Sequence, residues 1–327
     1  MTDIGADFDR RTSPYRRELL AHCYRMLGSV HEAEDLVQET LLRAWRAFDR
    51  YDPERASLRT WLHRIATNAC LTALRGRARR PLPSDLVAPN PDPDARMVVG
   101  EVPWLQPVPD ALLDPAAVVA ARGSLRLALV AALQLLPPRQ RAILLLRDVL
   151  GQPAAEVAET LATTPAAVNS GLQRARARLG AVAVREEQVA EPADPDRRAL
   201  VDRYVAAFER ADVDALTRLL TADAVLEMPP VLNWYVGRER YGRFIARAFA
   251  MRGTDWRMLP TAANGQPALA AYVRDGDAYV PHTVQVLTVT GAGISRNVVF
   301  QDRAVFTAFG LAPMPATVRF PSLAVDV

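Results

Sequence analysis

The sequence predicts a multidomain protein in which two all-α domains precede a C-terminal α+β domain. Residues 12–80 and 117–180 carry apolar side chains three and four positions apart, the spacing of amphipathic helices. Residues 81–116, between them, contain nine prolines, and proline blocks helix interiors. After residue 197 a helical pattern gives way to short segments joined by Gly and Asp turns, which is typical of strands.

Composition restricts the class of protein. Of 327 residues, 50% are hydrophobic and 24% are charged, the balance of a globular protein and not of a disordered or fibrous one. The sequence contains neither an apolar run of about 18 residues, as a transmembrane helix needs, nor a secretory signal at its polar N-terminus. We therefore expect a cytoplasmic protein. Cys23 and Cys70 lie among apolar helical residues without metal-type spacing, which favours buried free thiols and no metal site.

The charges are distributed unevenly along the chain. Residues 1–80 hold 15 arginines against 11 acidic residues, and residues 117–180 hold 8 against 3. Residues 81–116 hold 1 against 6, whereas residues 181–327 are nearly neutral, with 16 against 17. Two basic domains joined by an acidic linker indicate a polyanionic partner.

The first motif is the helical segment 31–48, whose apolar stripe runs from Ala33 through Trp45 to Phe48. A polar face lies opposite the stripe and contains Asp35, Gln38 and Glu39. From periodicity alone, this is a solvated helix face.

The second motif is the helical segment 58–80, which contains six arginines and no acidic residue. Its polar positions include His63, Arg64 and Asn68, and four arginines crowd its C-terminal end: Arg75, Arg77, Arg79 and Arg80. The helix dipole explains part of this cluster, but four arginines in six positions favour phosphate contacts. Trp61 could stack on a base, although its apolar neighbours favour a place in the core.

The third motif, residues 136–179, is interpreted as a helix followed by a helix-turn-helix. Ala158, Leu161, Val168 and Leu172 provide its inner contact, and Thr164 is placed to cap the second helix. That helix carries polar and basic side chains suited to base edges and phosphates: Asn169, Ser170, Gln173, Arg174, Arg176 and Arg178. A generic helical hairpin is the alternative, but the arginine-only charges favour DNA binding.

Two linkers complete the organisation. The first, residues 81–116, is predicted to be extended, and its apolar pair Trp104 and Leu105 is expected to dock on a folded domain, because exposed apolar groups are unfavourable. The second covers residues 181–196, and the α+β domain follows over residues 197–327.

The three motifs, in this order, resemble the extracytoplasmic-function branch of the sigma-70 superfamily of RNA polymerase sigma factors. Residues 31–48, with the core AEDLVQE, resemble region 2.2; residues 58–80, with the pattern TWL-x-RIA-x-N, resemble regions 2.3 and 2.4; and residues 136–179 resemble region 4. The resemblance implies a region 2 helical bundle (12–80) and a region 4 helix-turn-helix domain (117–180).

The same resemblance implies three sets of binding residues. Region 2.2 would bind the β′ clamp of core RNA polymerase through Asp35, Gln38 and Glu39. Regions 2.3 and 2.4 would open and read the −10 promoter element through Trp61, His63, Arg64, Asn68, Arg75, Arg79 and Arg80. Region 4 would read the −35 element through Thr164, Asn169, Ser170, Gln173, Arg174 and Arg176, and the β flap of core polymerase is its expected protein partner.

Residues 197–311 resemble the SnoaL-like cone of the ketosteroid isomerase type, which in related sigma factors is regulatory. Its candidate acid–base residues are Asp223, Glu227, His282 and Asp302, beside Trp234 and Tyr235. Sequence indicates no positioned pair among them, as general acid–base catalysis needs, so we expect no enzyme and no cofactor.

The sequence therefore predicts a promoter-specificity subunit that binds core RNA polymerase and promoter DNA, with a small ligand or a regulatory protein acting at its C-terminal domain and no membrane partner. Two alternatives stay open: a one-component helix-turn-helix regulator with a ligand-sensing cone, and a SnoaL-type enzyme with a DNA-binding appendage. The first has no use for residues 31–80, and the second requires catalytic turnover by residues 197–327.

Overall fold

The computed structural model describes residues 4–113, 125–186 and 195–317. The chain divides into two compact units. Unit 1 comprises Met1–Arg80 and Leu105–Val184, and unit 2 comprises Pro81–Trp104 and Arg185–Val327. The boundary inside the first linker thus falls between Trp104 and Leu105, the pair that the sequence singles out. None of the described helices is long and apolar enough to cross a membrane.

The first half of unit 1 is a bundle of four helices: α1 (Ile4–Thr12), α2 (Arg16–Leu27), α3 (Val30–Arg46) and α4 (Leu58–Ala73). Gly28 ends α2 in a left-handed conformation, with its N–H donating to Tyr24 O. The side chains of Ser29 and Ser57 cap α3 and α4 by accepting from backbone N–H groups three residues later. Helix α1 lies outside the helical segments predicted from the sequence, and it holds Phe8 against Trp45 and Phe48.

The second half of unit 1 contains four further helices among the described residues: α5 (Leu127–Gln134), α6 (Pro138–Leu144), α7 (Ala154–Thr160) and α8 (Pro165–Glu186). A π-helical turn, Leu145–Val149, continues α6. The predicted inner contact of the α7–α8 pair is present, since all four of its residues are buried. Thr164 Oγ1 accepts from Ala167 N at 3.2 Å, as an N-cap does.

The boundaries of the second linker require a correction. Helix α8 runs to Glu186, six residues into the segment predicted as linker, because the sequence AVAVRE contains good helix formers and no proline. The next helix, α9, begins at Pro195, within the predicted linker. Residues 187–194 lie outside the described residues.

Unit 2 is an α+β domain. Its described helices are α9 (Pro195–Glu209), α10 (Val213–Arg218), α11 (Arg238–Arg252) and α12 (Arg303–Ala308). The strands are β1 (Leu220–Met228), β2 (Val231–Val236), β3 (Trp256–Ala263), β4 (Gln266–Asp275), β5 (Ala278–Thr290), β6 (Gly293–Phe300) and β7 (Met314–Pro315). The order in the sheet is β2-β1-β6-β5-β4-β3, with β7 paired to β5.

The core of unit 2 lies between the helices and one face of this sheet. Strands β1 and β6 are parallel, and the other pairs are antiparallel. Aromatic side chains of α9 and α11 pack with β3, so that the rings of Phe208, Phe249 and Trp256 lie 5.1–6.2 Å apart. Such an arrangement agrees with the predicted cone.

The first linker is not a free tether. We call residues Pro81–Trp104 the strap, because they belong to unit 2 and pack on its domain. The strap begins with a buried Leu82 and a short 3-10 helix, Pro83–Asp85. Leu105 onward belongs to unit 1, where a second 3-10 helix, Asp110–Leu112, follows. Residues 114–116 of the predicted linker lie outside the described residues.

Candidate nucleic-acid and protein interfaces

The exposed face of α3 carries the three residues predicted to bind core polymerase. Asp35 and Gln38 are exposed, and Glu39 is half-buried, with its carboxylate 2.7 Å from Arg43 Nε. Beside them lies an open groove of about 380 Å³ between α2 and α3. Its lining mixes basic, acidic and apolar groups: Arg16, Arg17, Leu20, His31, Glu34, Asp35, Val37, Gln38 and Leu112.

This α3 face also exposes two large apolar side chains that are not among the residues predicted to lie on it. Leu42 is 43% exposed and Trp45 is 41% exposed. The sequence places Trp45 on the buried stripe, but its ring packs edge-on against Phe8, 5.4 Å away, and leaves the rest open. Asp35, Gln38, Leu42 and Trp45 follow a 3-4-3 spacing, the spacing by which a helix packs along another helix. We call these four residues the α3 seam.

Some of the residues predicted to face DNA from the 58–80 segment are exposed, and others are covered. Arg64 and Asn68 are exposed within α4, whereas Arg75 and Arg79 are exposed beyond its last residue, Ala73, because the helix does not continue to residue 80 as predicted. Arg80, in contrast, is largely covered, with Nη2 2.8 Å from Glu32 Oε1. The same carboxylate oxygen accepts from Arg77 at 2.9 Å. Glu32 therefore neutralises part of the basic cluster within the folded protein.

Trp61 is half-buried in an aromatic cluster. Its ring centroid is 5.0 Å from that of Tyr51 and 6.5 Å from that of Phe48, and Arg11 lies over the Phe48 ring. Trp61 thus packs in an aromatic cluster, as the core interpretation expects, but is only half-buried.

His63 requires a correction, because the structure removes it from the exposed side of α4. Its side chain is fully buried, with Nδ1 2.9 Å from Arg59 O and its ring edge-on to His22 at 5.4 Å. Burial lowers the pKa of His63, and the pKa of His22 is also lowered by burial and by His63. Helix α4 is buried on two sides, whereas the sequence predicts a single apolar stripe. His63 lies on the second buried side, which that stripe does not include.

The polar face of α8 is accessible as predicted. Asn169, Ser170, Gln173, Arg174 and Arg176 are all exposed. Arg176, however, forms a bidentate ion pair with Asp148, with N–O distances of 2.9 and 2.7 Å. Gly171 allows α8 to approach α6 closely, since a Cβ there would lie 2.7 Å from Ile143 Cδ1.

The candidate acid–base residues of unit 2 are engaged in structural contacts. Glu227 is fully buried, pairs with Arg296, and accepts from the strap backbone at Ser84 N, 2.9 Å away. Asp302 caps α12, and Asp223 accepts from Thr221. The pKa of His282 is lowered to about 4 by burial and by Arg252. Within the described residues, none of the four candidates hydrogen-bonds another.

A buried polar network lies within unit 2 instead. The hydroxyls of Tyr204 and Tyr241 are 3.0 Å apart, and Tyr204 donates to Gln285 Oε1 at 2.9 Å. Asn297 Nδ2 reaches Tyr241, Tyr204 and Gln285 at 2.8–3.2 Å. Burial raises the pKa of both phenols, which keeps them protonated.

Helix α11 holds the strap with three arginines on one face. Arg240 donates to Pro91 O at 3.3 Å, Arg243 pairs with Asp94 at 2.5 Å, and Arg247 donates to Pro93 O and Ala95 O at 2.8 and 2.7 Å. A proline has no N–H group that could donate to a nearby carbonyl, so the carbonyls of this proline-rich segment lack local donors. The arginines of α11 supply those donors instead.

The strap then runs along β2, which is an edge strand of the sheet. Leu232 N donates to Val98 O at 2.7 Å, Val98 N to Asn233 Oδ1 at 2.8 Å, and Gly100 N to Pro230 O at 2.9 Å. Trp104 folds back on this segment, with Nε1 3.1 Å from Gly100 O. The strap therefore covers a sheet edge that would otherwise present unpaired backbone groups.

Comparisons with known proteins agree with this architecture. Residues 13–80 match sigma-70 region 2, residues 126–179 match sigma-70 region 4, and residues 201–303 match the SnoaL-like domain. A chain with both sigma-70 regions is by these matches a sigma factor of the sigma-70 type.

Two relatives make the class more specific. The ECF RNA polymerase sigma factor SigG of Mycobacterium tuberculosis is 52% identical over 93% of this chain and 84% of its own length. SigJ, an ECF sigma factor of the same organism, is 33% identical over 70% of this chain and 69% of its own. The crystal structure of SigJ superposes with a TM-score of 0.64 at 25% identity, covering 93% of this chain and 99% of SigJ. The chain belongs to the extracytoplasmic-function RNA polymerase sigma factors, which confirms the predicted family and fold class.

Proposed function

We propose that this chain directs core RNA polymerase to its promoters, with the α3 seam as the polymerase-docking face and the ends of α4 and α8 as the DNA-reading surfaces. The observation that carries the proposal is the α3 seam. Exposed Leu42 and Trp45 continue the polar positions Asp35 and Gln38 along one helix face. An exposed apolar stripe rimmed by charge is characteristic of a protein interface.

The chemistry of the seam fits a helical partner with basic side chains. Helix-on-helix docking uses anchors at i, i+3 and i+7, which Asp35, Gln38 and Leu42 supply. Large, rigid aromatic groups supply much of the binding energy in such interfaces, so Trp45 is the expected anchor. Asp35 and Glu39 would select a basic partner and speed association.

Promoter recognition is proposed for two exposed basic surfaces in unit 1. Asn68 and Arg64 lie on one helix face, where an amide can pair with a base edge and an arginine can contact phosphate. Exposed Arg174 and Gln173 lie on α8, the second helix of a helix-turn-helix, which enters a major groove in such motifs. We assign the first surface to the −10 element and the second to the −35 element.

For the C-terminal domain we propose regulation through the strap and not catalysis. Glu227, the buried carboxylate in its sheet, is neutralised by Arg296 and capped by Ser84 of the strap. The three α11 arginines bind the same segment. A ligand or protein that competes for α11 would release the strap and change the freedom of the segment that connects regions 2 and 4.

A titration of core RNA polymerase with the purified full-length protein tests the docking assignment. Combined Asp35→Arg and Glu39→Arg substitutions should weaken core binding about tenfold or more, because they reverse two charges of the interface. Replacing two exposed acids of unit 2, Asp214→Arg with Asp275→Arg, changes the net charge equally and should leave affinity unchanged. If both pairs weaken binding alike, or neither does, the α3 face is not the docking site.

A further inference from the structure

The three arginines of α11 that hold the strap form a concentrated positive surface, which we call the arginine face. Arg240, Arg243 and Arg247 are three and four positions apart, so they fall within about 60° around the helix axis. Arg240 and Arg243 are exposed, and Arg247 is half-buried. A guanidinium stays charged in proteins, and its planar donors match the oxygens of phosphate and carboxylate groups. The arginine face is therefore suited to an anion.

The strap neutralises this face only in part. Four of its oxygens accept from the three arginines, namely Pro91 O, Pro93 O, Ala95 O and one oxygen of the Asp94 carboxylate. Of these four, only the Asp94 oxygen belongs to an ionised group. The nearby Asp92 uses Oδ1 to accept from Asp94 N at 3.0 Å. The strap thus satisfies the hydrogen bonds of the arginines with mostly neutral acceptors, and a more strongly charged ligand would bind the same donors better.

The hydroxyl of Tyr235 is a fourth donor beside the arginine face. Its side chain is fully buried, and its ring stacks on that of Phe244 of α11, with centroids 5.1 Å apart. Within the described residues, the hydroxyl has no hydrogen-bond partner. Burial raises the pKa of Tyr235, while the charges of Arg247 and Asp94 also act on it, so the hydroxyl lies near both. A buried donor without a partner is unfavourable, and an acceptor at this position would remove that cost.

We propose that the arginine face and Tyr235 form a binding site for a small ligand with a chain of two or more phosphoryl groups, and that this ligand displaces the strap. The proposal rests on the proposed regulation through the strap and names the chemistry of its effector. From Arg240 to Arg247 the face extends about 10 Å along the helix, which a chain of phosphoryl groups covers better than a single group. Each phosphoryl group also brings more charge and more acceptor oxygens than a carboxylate.

The charge of the surrounding domain favours a small ligand over nucleic acid. Residues 181–327 hold 16 arginines against 17 acidic residues, whereas surfaces that attract DNA carry an extended positive potential. Three arginines on one helix are enough for a short phosphoryl chain. Arg240, Arg243 and Asp94 are exposed, so such a ligand can reach the site from solvent and replace the strap contacts one after another.

Calorimetry and hydrogen exchange on the full-length protein test the site, with inorganic triphosphate as the probe. Triphosphate should bind, and the amides of Asn90, Val98 and Gly100 should exchange faster in its presence, since each donates to unit 2 when the strap is seated. At equal ionic strength, sulfate should bind about tenfold more weakly or worse, because it covers only part of the face. ATP distinguishes two sources of the same chemistry: tighter binding than triphosphate assigns the site to a nucleotide, and equal binding assigns it to an inorganic phosphoryl chain.

Two variants and a matched control make the test specific. Arg247→Met should weaken triphosphate binding about tenfold or more, because it removes a charge-assisted donor. Tyr235→Phe removes no hydrogen bond of the described structure, so the free protein should keep its fold and its strap exchange, whereas triphosphate binding should weaken about three- to tenfold. Arg238→Met is the control, because exposed Arg238 lies on the same helix but about 140–180° around its axis from the arginine face, and its affinity should match wild type.

Several results would overturn the site. It is refuted if triphosphate binds no more tightly than sulfate, if it binds without faster exchange of the strap amides, or if Arg247→Met and Tyr235→Phe both bind it as wild type does. Duplex DNA that frees the strap amides when triphosphate does not would replace the small ligand with nucleic acid. A failure of the proposed function looks different: triphosphate binds and frees the strap, but promoter output of the holoenzyme at constant free Mg²⁺ does not change.

Discussion

Arg174 and Arg176 are both exposed on α8, but only Arg176 is held by a partner within the described residues. Asp148 binds its guanidinium through two oxygens. A phosphate must displace that carboxylate, so Arg176 contributes less net attraction to DNA than Arg174 does, although both carry the same charge.

Holoenzyme binding to promoter DNA over a range of salt concentrations separates the two arginines. Arg174→Ala should weaken all promoters alike and reduce the salt slope by about one if it contacts phosphate, or change sequence preference if it reads a base. Arg176→Ala should have the smaller effect. Asp148→Asn, which frees Arg176, should strengthen binding and steepen the slope. An Arg174→Ala protein with wild-type affinity and preference would remove Arg174 from the interface.

His22 and His63 form a buried neutral pair in region 2, and its pH dependence has a definite sign. His22 Nε2 faces Thr67 Oγ1 at 2.9 Å and Arg25 lies nearby, while His63 faces Arg59 O and lies 3.9 Å from Glu18. Both folded-state pKa values are lowered, chiefly by burial, below the usual value of about 6.5. The unfolded chain therefore takes up protons first as the pH falls.

The free energy of unfolding of region 2 should accordingly be undiminished above about pH 6.5 and should decrease as the pH falls below that value. Urea unfolding at pH 7.5 and 5.5 measures this dependence. Between these two pH values, the free energy of unfolding of the His22→Gln, His63→Gln double variant should decrease less than that of the wild type. His31→Gln is the control for replacing a histidine, because His31 is only half-buried on α3 and lies outside the pair. An equal drop in all three proteins would show that the pair does not titrate.

At the scale of elements, periodicity predicts the helices that a single buried stripe defines. Helix α4 begins at Leu58 as predicted, and the α7–α8 pair has the expected core and cap. Periodicity fails where a helix is buried on two sides, as at His63, and where an apolar residue faces out, as at Trp45. The burial of His63 and the exposure of Trp45 both depend on neighbours from distant parts of the chain. The apolar periodicity of a single helix contains no information about those neighbours.

The strap shows a second limit of sequence reasoning. The nine prolines of residues 81–116 predict an extended linker, and the strap contains neither an α-helix nor a named strand. Neither composition nor spacing reveals, however, that α11 carries its binding surface. Arg240, Arg243 and Arg247 are separated by 3 and 4 positions, so the signal was present as a basic helix face. Its acidic partner lies about 150 residues earlier in the chain, and only folding pairs the two.

The pairing of Asp94 with Arg243 can be tested by exchanging the charges. Asp94→Arg should loosen the strap, because it places a fourth arginine beside the α11 cluster, and the added Arg243→Asp substitution should restore it. Hydrogen exchange at the Asn90, Val98 and Gly100 amides measures the strap, since each donates to unit 2. A single exposed pair is worth about 1 kcal/mol or less, so a change of up to about fivefold in exchange is expected. If the exchanged pair behaves like Asp94→Arg alone, the contact does not hold the strap.

At the scale of the whole molecule, the first linker is divided between the two units at Trp104 and Leu105. Each half is held by specific contacts, the first by α11 and β2 and the second by the end of α2. A connection anchored at both ends restricts where region 4 can be relative to region 2, and a tether that cannot reach abolishes any gain from binding two elements at once. Under the proposed function, the C-terminal domain would therefore act on transcription through the strap, without itself contacting DNA.

Truncation after Val184 removes the domain that holds the strap, so it should retain binding to core polymerase but change promoter output in vitro. Trp104→Ala and the strap-loosening Asp94→Arg should shift output in the same direction as the truncation, and by less, because each removes only part of the contact. The charge-exchanged protein should return output towards wild type. A shift of promoter output in one direction by all three changes would support regulation through the strap. In the enzyme alternative, Asp94→Arg leaves transcription unchanged. A truncated protein that transcribes at the wild-type level under all growth and template conditions would contradict the regulatory role and would favour a catalytic one for residues 197–327.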